Sequence, residues 1–282
     1  MKDFYWLNKD SRKFLEGGYL LDGITPEDRI RQISDKAEEI LGIEGFSDKF
    51  FGYMAKGYYS LATPVWMNFG LDRGLPISCY GIDIQDDTSD ILRATAEIGM
   101  LTKMGGGTAG YFGKIRPRGA NIKNNGVSNG SVAMMSPFQT ITDTITQGQA
   151  RRGYFAAYQD IEHDDIEEFL DCRSEGSPIQ DIALAVCISD SFMEKAERGD
   201  KKARKVLAKV HKKRAETGFP YILFKDNVER GKPQVYKDKG MTINHSQMCT
   251  EIIEYTDEFK SFVCCISSLN VLHWDDMKDS LD

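Results

Sequence analysis

Residues 182–224 read IALAVCISDSFMEKAERGDKKARKVLAKVHKKRAETGFPYILF, and this stretch sets the fold class. Residues 182–189 alternate like a strand, residues 190–217 carry two helices, and residues 221–224 form a further short strand. Working upstream, residues 155–158 read as a strand followed by a helix over 164–172. Residues 111–115 and 76–81 read as earlier strands. Between these two lies a helix that starts at a Thr88 or Ser89 cap and runs to Met104, where Gly105, Gly106 and Gly107 stop it. Strands that alternate with helices in this way favour a parallel α/β arrangement.

The N-terminal part is helical in pattern. Thr25, Pro26, Glu27 and Asp28 supply a capping hydroxyl, a proline in the first turn and two acids for a helix to about Gly42. Ser47 opens a second helix with Phe50, Phe51, Met54 and Tyr58 on one face, whereas residues 10–21 show no clean period. Residues 63–66 (TPVW) read as an extended turn, since a residue before proline avoids the helical region. Ser136-Pro137-Phe138-Gln139 reads as another helix start, and the long polar segments 116–130 and 147–153 read as loops of a length usually reserved for function.

The 282 residues are 41% hydrophobic and 11% aromatic, enough for a sizeable core in one large domain or two smaller ones. A formal net charge of −7 argues against broad nucleic-acid binding. Six scattered cysteines, no apolar leader after Met1 and no run of eighteen apolar residues point to a soluble protein in a reducing, cytoplasmic compartment, without a membrane span. No CxxC or Cys/His spacing suggests a metal. The lysines and arginines between Lys201 and Arg214 read as a solvated helix face.

The chemistry concentrates in residues 245–270. Cys249, on a loop, has polar neighbours Gln247, Thr250 and Glu251, which suit a site better than a core, and a cysteine-bearing strand over 262–266 follows. Cys264 and Cys265 are adjacent on that strand, so they face opposite ways and at most one can serve a pocket. Cys172 and Cys187 read as buried small hydrophobes. Arg116, Arg118, Arg151 and Arg152 lie in Gly- and Asn-rich loops whose amides suit a phosphorylated ligand.

Residues 62–70 (ATPVWMNFG), 76–81 (PISCYG), 105–120 (GGGTAGYFGKIRPRGA) and 147–170 (QGQARRGYFAAYQDIEHDDIEEFL), in this order, resemble the class I ribonucleotide reductase large (alpha) subunit. The resemblance implies the first half of a ten-stranded α/β barrel, itself two five-stranded halves, over residues 63–282, after a helical segment over 1–62. The barrel's finger loop would carry Cys249. By that resemblance Cys249 is the thiyl-radical cysteine that abstracts the 3′ hydrogen, and Glu251 takes the 3′-hydroxyl proton. Cys79 and Cys264 are the reducing dithiol, with Cys265 pointing away. Gln247 stands where the family usually has an asparagine that binds the 2′-hydroxyl. Thr63, Ser78 and Gly106 match substrate contacts. Asp86 and Arg116 match the site for a deoxynucleoside triphosphate effector, and Gln147 and Arg151 match the loop that links effector to substrate base.

The implied reaction is reduction of ribonucleoside diphosphates to deoxyribonucleotides. The implied partners are a chain carrying the second half-barrel, a radical-generating small subunit whose cofactor supplies the radical, a thioredoxin- or glutaredoxin-type reductant and a second large subunit. The expectation is a split large subunit completed by another polypeptide. A second reading, from a different class, is a nucleotide-binding or assembly remnant of the same fold without turnover.

Overall fold

The computed structural model describes residues 4–147 and 151–279. The chain divides into two compact units, the first comprising Met1–Ser78, Gln147–Arg151 and Cys265–Asp282, the second Cys79–Thr146 and Arg152–Cys264.

In the first unit, α1 (Lys9–Glu16) occupies the stretch without a clean period, started by the Asn8 side chain, which accepts from the amides of Asp10 and Ser11. Helix α2 (Pro26–Leu41) begins at Thr25 as its capping residues dictate and ends at Gly42 in the left-handed region. Next come α3 (Phe46–Ala55) and β1 (Tyr59–Leu61), the latter pairing antiparallel with the strand Ser267–Leu269. The expected extended turn at 63–66 is instead a helix, α4 (Thr63–Asn68). Only Ala62, its N-cap, is extended, and Pro64 sits in the first turn where its missing N–H costs nothing.

Six residues cannot hold a helix by propensity alone. The support comes from Arg29 of α2, buried at 2% exposure, which donates to the carbonyls of Trp66 and Phe69 at 2.7 Å each and of Val65 at 3.4 Å. A cation on the otherwise orphaned carbonyls of a helix C-terminus is favourable both as hydrogen bonds and with the helix dipole. Burial and the neighbouring Arg73 pull the Arg29 pKa down to about 10, so it remains charged at neutral pH. Through this contact Arg29 ties α4 to α2 within the first unit.

The second unit is built on one sheet. Its strands and helices are β2 (Cys79–Asp83), α5 (Thr88–Lys103), β3 (Gly107–Tyr111), a two-residue-per-strand hairpin of β4 (Asn121–Ile122) and β5 (Gly126–Val127), and α6 (Ser131–Thr144). They continue with β6 (Phe155–Asp160), α7 (Ile166–Asp171), β7 (Ala183–Ile188), α8 (Asp190–Glu197), α9 (Lys201–Thr217), β8 (Tyr221–Phe224) and β9 (Phe262–Cys264). The order is β8-β7-β6-β3-β2-β9, parallel throughout except for β9, which runs antiparallel to β2.

Two helix starts differ from expectation for identifiable reasons. Helix α5 is capped by Asp87, whose carboxylate accepts from the amides of Ser89 and Asp90, rather than by Thr88 or Ser89. Helix α6 starts at Ser131, five residues before the expected Ser136, because the distant Asp165 carboxylate accepts from the Ser131 amide at 2.8 Å and its hydroxyl at 3.0 Å. Strand β3 begins inside the glycine run instead of after it.

The alternation in β7 sorts its two faces. Leu184, Val186 and Ile188 join a large core with residues of α5, α6, α8 and α9, whereas Ala183, Ala185 and Cys187 lie with Ala109, Ala156, Tyr111 and Tyr158 on the other face, against Met248 and Ile253. Bulky residues thus fill the helix-covered face. Small ones leave room on the opposite face for a loop to approach the sheet.

Candidate active site

Cys79 opens β2, and its register partner on β9 is Cys264. The pairing is locked two residues along, where Phe262 faces Gly81: a β-carbon at 81 would fall 2.1 Å from the Phe262 ring, so only glycine admits it. Directly opposed residues on antiparallel strands have Cα atoms about 4.5–5.5 Å apart. A disulfide needs about 4.4–6.8 Å. Cys79 and Cys264, both buried, therefore meet the backbone requirement for closing one.

The third sulfur comes from the loop on the small-residue face. Cys249 Sγ lies 3.9 Å from Cys79 Sγ, in mutual thiol contact, and Cys249 is exposed. Met248 rests on Gly107, where a β-carbon would meet its Cγ at 3.3 Å and Cys79 Sγ at 3.6 Å. Gly107, in the run read from local pattern as a helix stop, thus lets the loop come close to β2 and β3. The loop backbone is tied by Ser246 Oγ donating to the Ile252 carbonyl at 2.6 Å and by Tyr158 Oη donating to the Gln247 carbonyl at 2.6 Å.

Gln247 is fully buried, and neither atom of its side-chain amide has a hydrogen-bond partner among the described residues. Such a group costs roughly 1–3 kcal/mol unless something else satisfies it. Glu251, two residues past Cys249, is exposed. Away from this cluster, burial pushes the Cys172 thiol up to about 12 and drives Cys187 higher, so both stay protonated and inert at neutral pH.

His245 anchors the start of the loop. It is buried against Tyr158, Tyr111 and Phe262, and its Nδ1 donates to the Ser246 carbonyl at 2.7 Å while Nε2 accepts from Thr256 Oγ1 at 3.3 Å. Burial pulls its pKa down from 6.5 to about 4, with Asp83 acting in the opposite direction and Lys114 in the same one. A base whose folded pKa lies below its unfolded value contributes stability that is intact above the unfolded pKa and is lost as pH falls through the folded one. Between pH 6.5 and 4 this residue is expected to remove about 3 kcal/mol of stability. Urea unfolding of wild type and His245→Gln across that window checks it: the wild-type curve must fall more steeply, and parallel curves would refute the assignment.

The remaining sequence-designated residues divide between the units. In the second unit, Arg116 Nε pairs with Asp86 Oδ2 at 2.6 Å and the Arg116 amide also donates to Asp86. Gly106 lies where a β-carbon would strike the Tyr80 ring. In the first unit, Thr63 Oγ1 donates to Tyr19 Oη at 3.1 Å, and Ser78 is buried with its hydroxyl unpartnered among the described residues. There Gln147 Nε2 donates to Asn68 Oδ1 at 2.8 Å and to the Arg73 carbonyl at 3.1 Å, and Arg151 Nη2 donates to the Ser78 carbonyl at 3.3 Å. The middle of this loop, residues 148–150, lies outside the described residues. Cys265, exposed, donates to the Pro76 carbonyl in the first unit. Among the described residues no group of three His, Cys, Asp or Glu side chains could hold a metal ion, and no helix is long and apolar enough to cross a membrane.

Three neighbouring thiols, two of them on paired strands, make a site for sulfur-centred redox chemistry. Compared with known families, residues 77–202 and 200–282 match the ribonucleotide reductase barrel domain. The chain belongs to that family. Among solved structures, the Actinobacillus ureae class Id ribonucleotide reductase alpha subunit superposes with a TM-score of 0.94 at 51% identity, covering 99% of this chain and 52% of that one. The ribonucleoside-diphosphate reductase large chain of Neurospora crassa is 31% identical over 91% of this chain and 32% of its own length. The ribonucleoside-diphosphate reductase subunit alpha of Bacillus subtilis is 28% identical over 80% of this chain and 40% of its own length. The chain spans 29–44% of the length of the first curated relatives it matches. In the terms of the ribonucleotide reductase barrel, the five parallel strands are one half, and β9, antiparallel to them, adds a strand of the opposite sense.

Tyr158, His245, Met248 and Phe262 carry no site role in the sequence reading, yet they fix the loop and the strand pairing. Alternation in β6 and β7 was the available signal, since it sets Tyr158 on the same face as the alanines.

Proposed function

We propose that this chain supplies the substrate-reducing half of a ribonucleotide reductase catalytic subunit acting on ribonucleoside diphosphates. The observation that carries the reading is the triple placement of Cys79, in thiol contact with Cys249 and directly opposite Cys264. A radical-generating small subunit supplies the one-electron oxidation of Cys249 when bound. Cys249 then takes the 3′ hydrogen of the ribose and returns it at the end, while Glu251 accepts the 3′-hydroxyl proton and gives it back to the 3′ oxygen as that hydrogen returns. The 2′-hydroxyl leaves as water. Cys79 and Cys264 deliver two hydrogens and two electrons, one hydrogen going to that water and one to C2′, and become a disulfide, so atoms and electrons balance. A thioredoxin- or glutaredoxin-type protein resets the pair.

Gln247, with its buried unpartnered amide, is the candidate to meet the 2′-hydroxyl, and Thr63, Ser78 and Gly106 the candidates for the phosphates and ribose. Asp86 and Arg116 would face a deoxynucleoside triphosphate effector, relayed by Gln147 and Arg151. Strands β8 and β9 each pair on one side only among the described residues, which leaves two edges available to the polypeptide that, in this proposal, supplies the second half-barrel. A dimer of such catalytic subunits is part of the proposal.

The test is a single turnover of prereduced protein, assembled with its complementing half and small subunit, on cytidine diphosphate without external reductant. One disulfide per deoxycytidine diphosphate, mapped to Cys79 and Cys264, is expected. Product without that disulfide would refute the dithiol assignment. No product from a complex that assembles and binds nucleotide would favour a nucleotide-binding remnant.

A further inference from the structure

The loop that presents Cys249 is held by one side chain from across the barrel sheet. Tyr158, on β6, is fully buried, and its hydroxyl donates to the Gln247 carbonyl at 2.6 Å. The same carbonyl accepts from the Thr250 amide at 3.3 Å, which closes a four-residue turn with Cys249 as its third member. Two donors on one carbonyl oxygen use both of its lone pairs.

The turn is not one this sequence adopts by preference. Thr250 sits at φ +70, a β-branched residue in the left-handed region. Such a conformation costs of order 1–3 kcal/mol and persists only where surrounding contacts over-determine it. Around this turn the contacts include Tyr158 on the Gln247 carbonyl, Ser246 Oγ at 2.6 Å and the Gln247 amide at 3.4 Å on the Ile252 carbonyl, Thr250 Oγ1 on the Cys249 carbonyl at 2.6 Å, and Met248 seated on Gly107. The tyrosine ring is itself fixed, packed against His245 at 5.6 Å between centroids. Of these anchors Tyr158 is the one that reaches the carbonyl closing the turn.

We propose that Tyr158 is a positioning residue: its hydroxyl holds the strained Gln247–Thr250 turn so that the Cys249 thiol stays in contact with Cys79. It touches neither sulfur in this role and acts through the Gln247 carbonyl. The inference rests on the reductase reading for its consequence in turnover, but the geometry it asserts can be measured without turnover.

Diamide, which oxidises two thiols to a disulfide and is itself reduced to the hydrazine, reports the proximity directly. In a Cys264→Ser background, where Cys79 has lost its strand partner, diamide is expected to trap a Cys79–Cys249 disulfide, quantified by peptide mapping. Adding Tyr158→Phe should slow trapping roughly tenfold. In the assembled enzyme with Cys264 intact, Tyr158→Phe should lower kcat roughly 10- to 100-fold, as expected for a misplacement near 1 Å, with KM within about twofold. Incorporating 3-fluorotyrosine at position 158, which keeps both ring and donor, should leave trapping at the Tyr158 rate, and it serves as the readout should Tyr158→Phe fail to fold. Equal trapping with tyrosine and phenylalanine, or slow trapping with 3-fluorotyrosine, would overturn the proposal. A trapping difference in a protein with no reductase activity would count against the reductase reading while supporting the positioning role.

Discussion

Cys249→Ser is expected to abolish deoxynucleotide formation, to less than about one ten-thousandth of the wild-type rate, in a protein that folds and binds nucleotide normally. The chemistry sets the size of the effect. Hydrogen abstraction at C3′ requires a sulfur radical, because a thiol gives up its hydrogen atom far more readily than an alcohol. Since each 1.36 kcal/mol on the barrier is a factor of ten, a loss of about 5.5 kcal/mol already accounts for four decades, and the alcohol forfeits more than that. The structural cost is small by contrast. Cys249 is exposed, and surface substitutions away from special features usually change stability by no more than about 0.5 kcal/mol. Chromatographic assay of deoxycytidine diphosphate, alongside the urea midpoint and nucleotide binding of the variant, separates these effects. Measurable turnover with serine at 249 would remove Cys249 from the radical role.

The alternation of strands and helices was legible in the sequence because it rests on local pattern. Residues 183–188 alternate small and large, residues 25–28 spell a helix start, and the structure forms β7 and α2 there. Two of the departures share one cause, a partner distant in sequence. Helix α4 exists because Arg29 satisfies its carbonyls from 36 to 40 positions away, and α6 starts where Asp165, 34 positions on, receives its first amide. A window of a dozen residues contains neither partner. The site divides the same way. Cys249 stands out by its polar neighbours and Cys79 and Cys264 by family resemblance, whereas Tyr158 looks like any strand aromatic until the Gln247 carbonyl is seen within 2.6 Å of its hydroxyl.

Gln247 shows where sequence and structure must be combined. The substitution of glutamine for the family's usual asparagine could be dismissed as conservative, but the extra methylene moves the amide by more than about 1 Å, which matters for a positioned contact. The structure adds that this amide is buried and that both its polar atoms are unpartnered among the described residues. A buried amide left unsatisfied is a cost that an apolar side chain of similar shape would avoid. Its retention beside Cys249 is consistent with a polar group on the ligand completing its hydrogen bonds.

The adjacent cysteines provide the second large effect and a test of register. Cys264 is buried and faces Cys79 across the β2–β9 ladder, whereas Cys265 is exposed and donates to the Pro76 carbonyl. A one-residue slip of β9 would exchange the two sulfurs and turn every side chain of the strand over. The slip is opposed by the Phe262 ring over Gly81, a fit that any β-carbon at 81 would destroy. With the register fixed, Cys264→Ser removes one of the two electron donors. Under the proposed mechanism it should reduce multiple-turnover activity by at least about 10³-fold, the loss of roughly 4 kcal/mol of barrier advantage, because Cys79 then lacks the second thiol with which it would form a disulfide and supply two electrons as the 2′-hydroxyl leaves. Cys265→Ser should retain activity within about twofold, since its sulfur has no place in that exchange. The paired assay, run with the physiological type of dithiol reductant in excess, has a clear adverse outcome: an inactive Cys265→Ser beside an active Cys264→Ser would mean that the reducing face of β9 is the opposite one, and the triple placement of Cys79 would lose its chemical meaning.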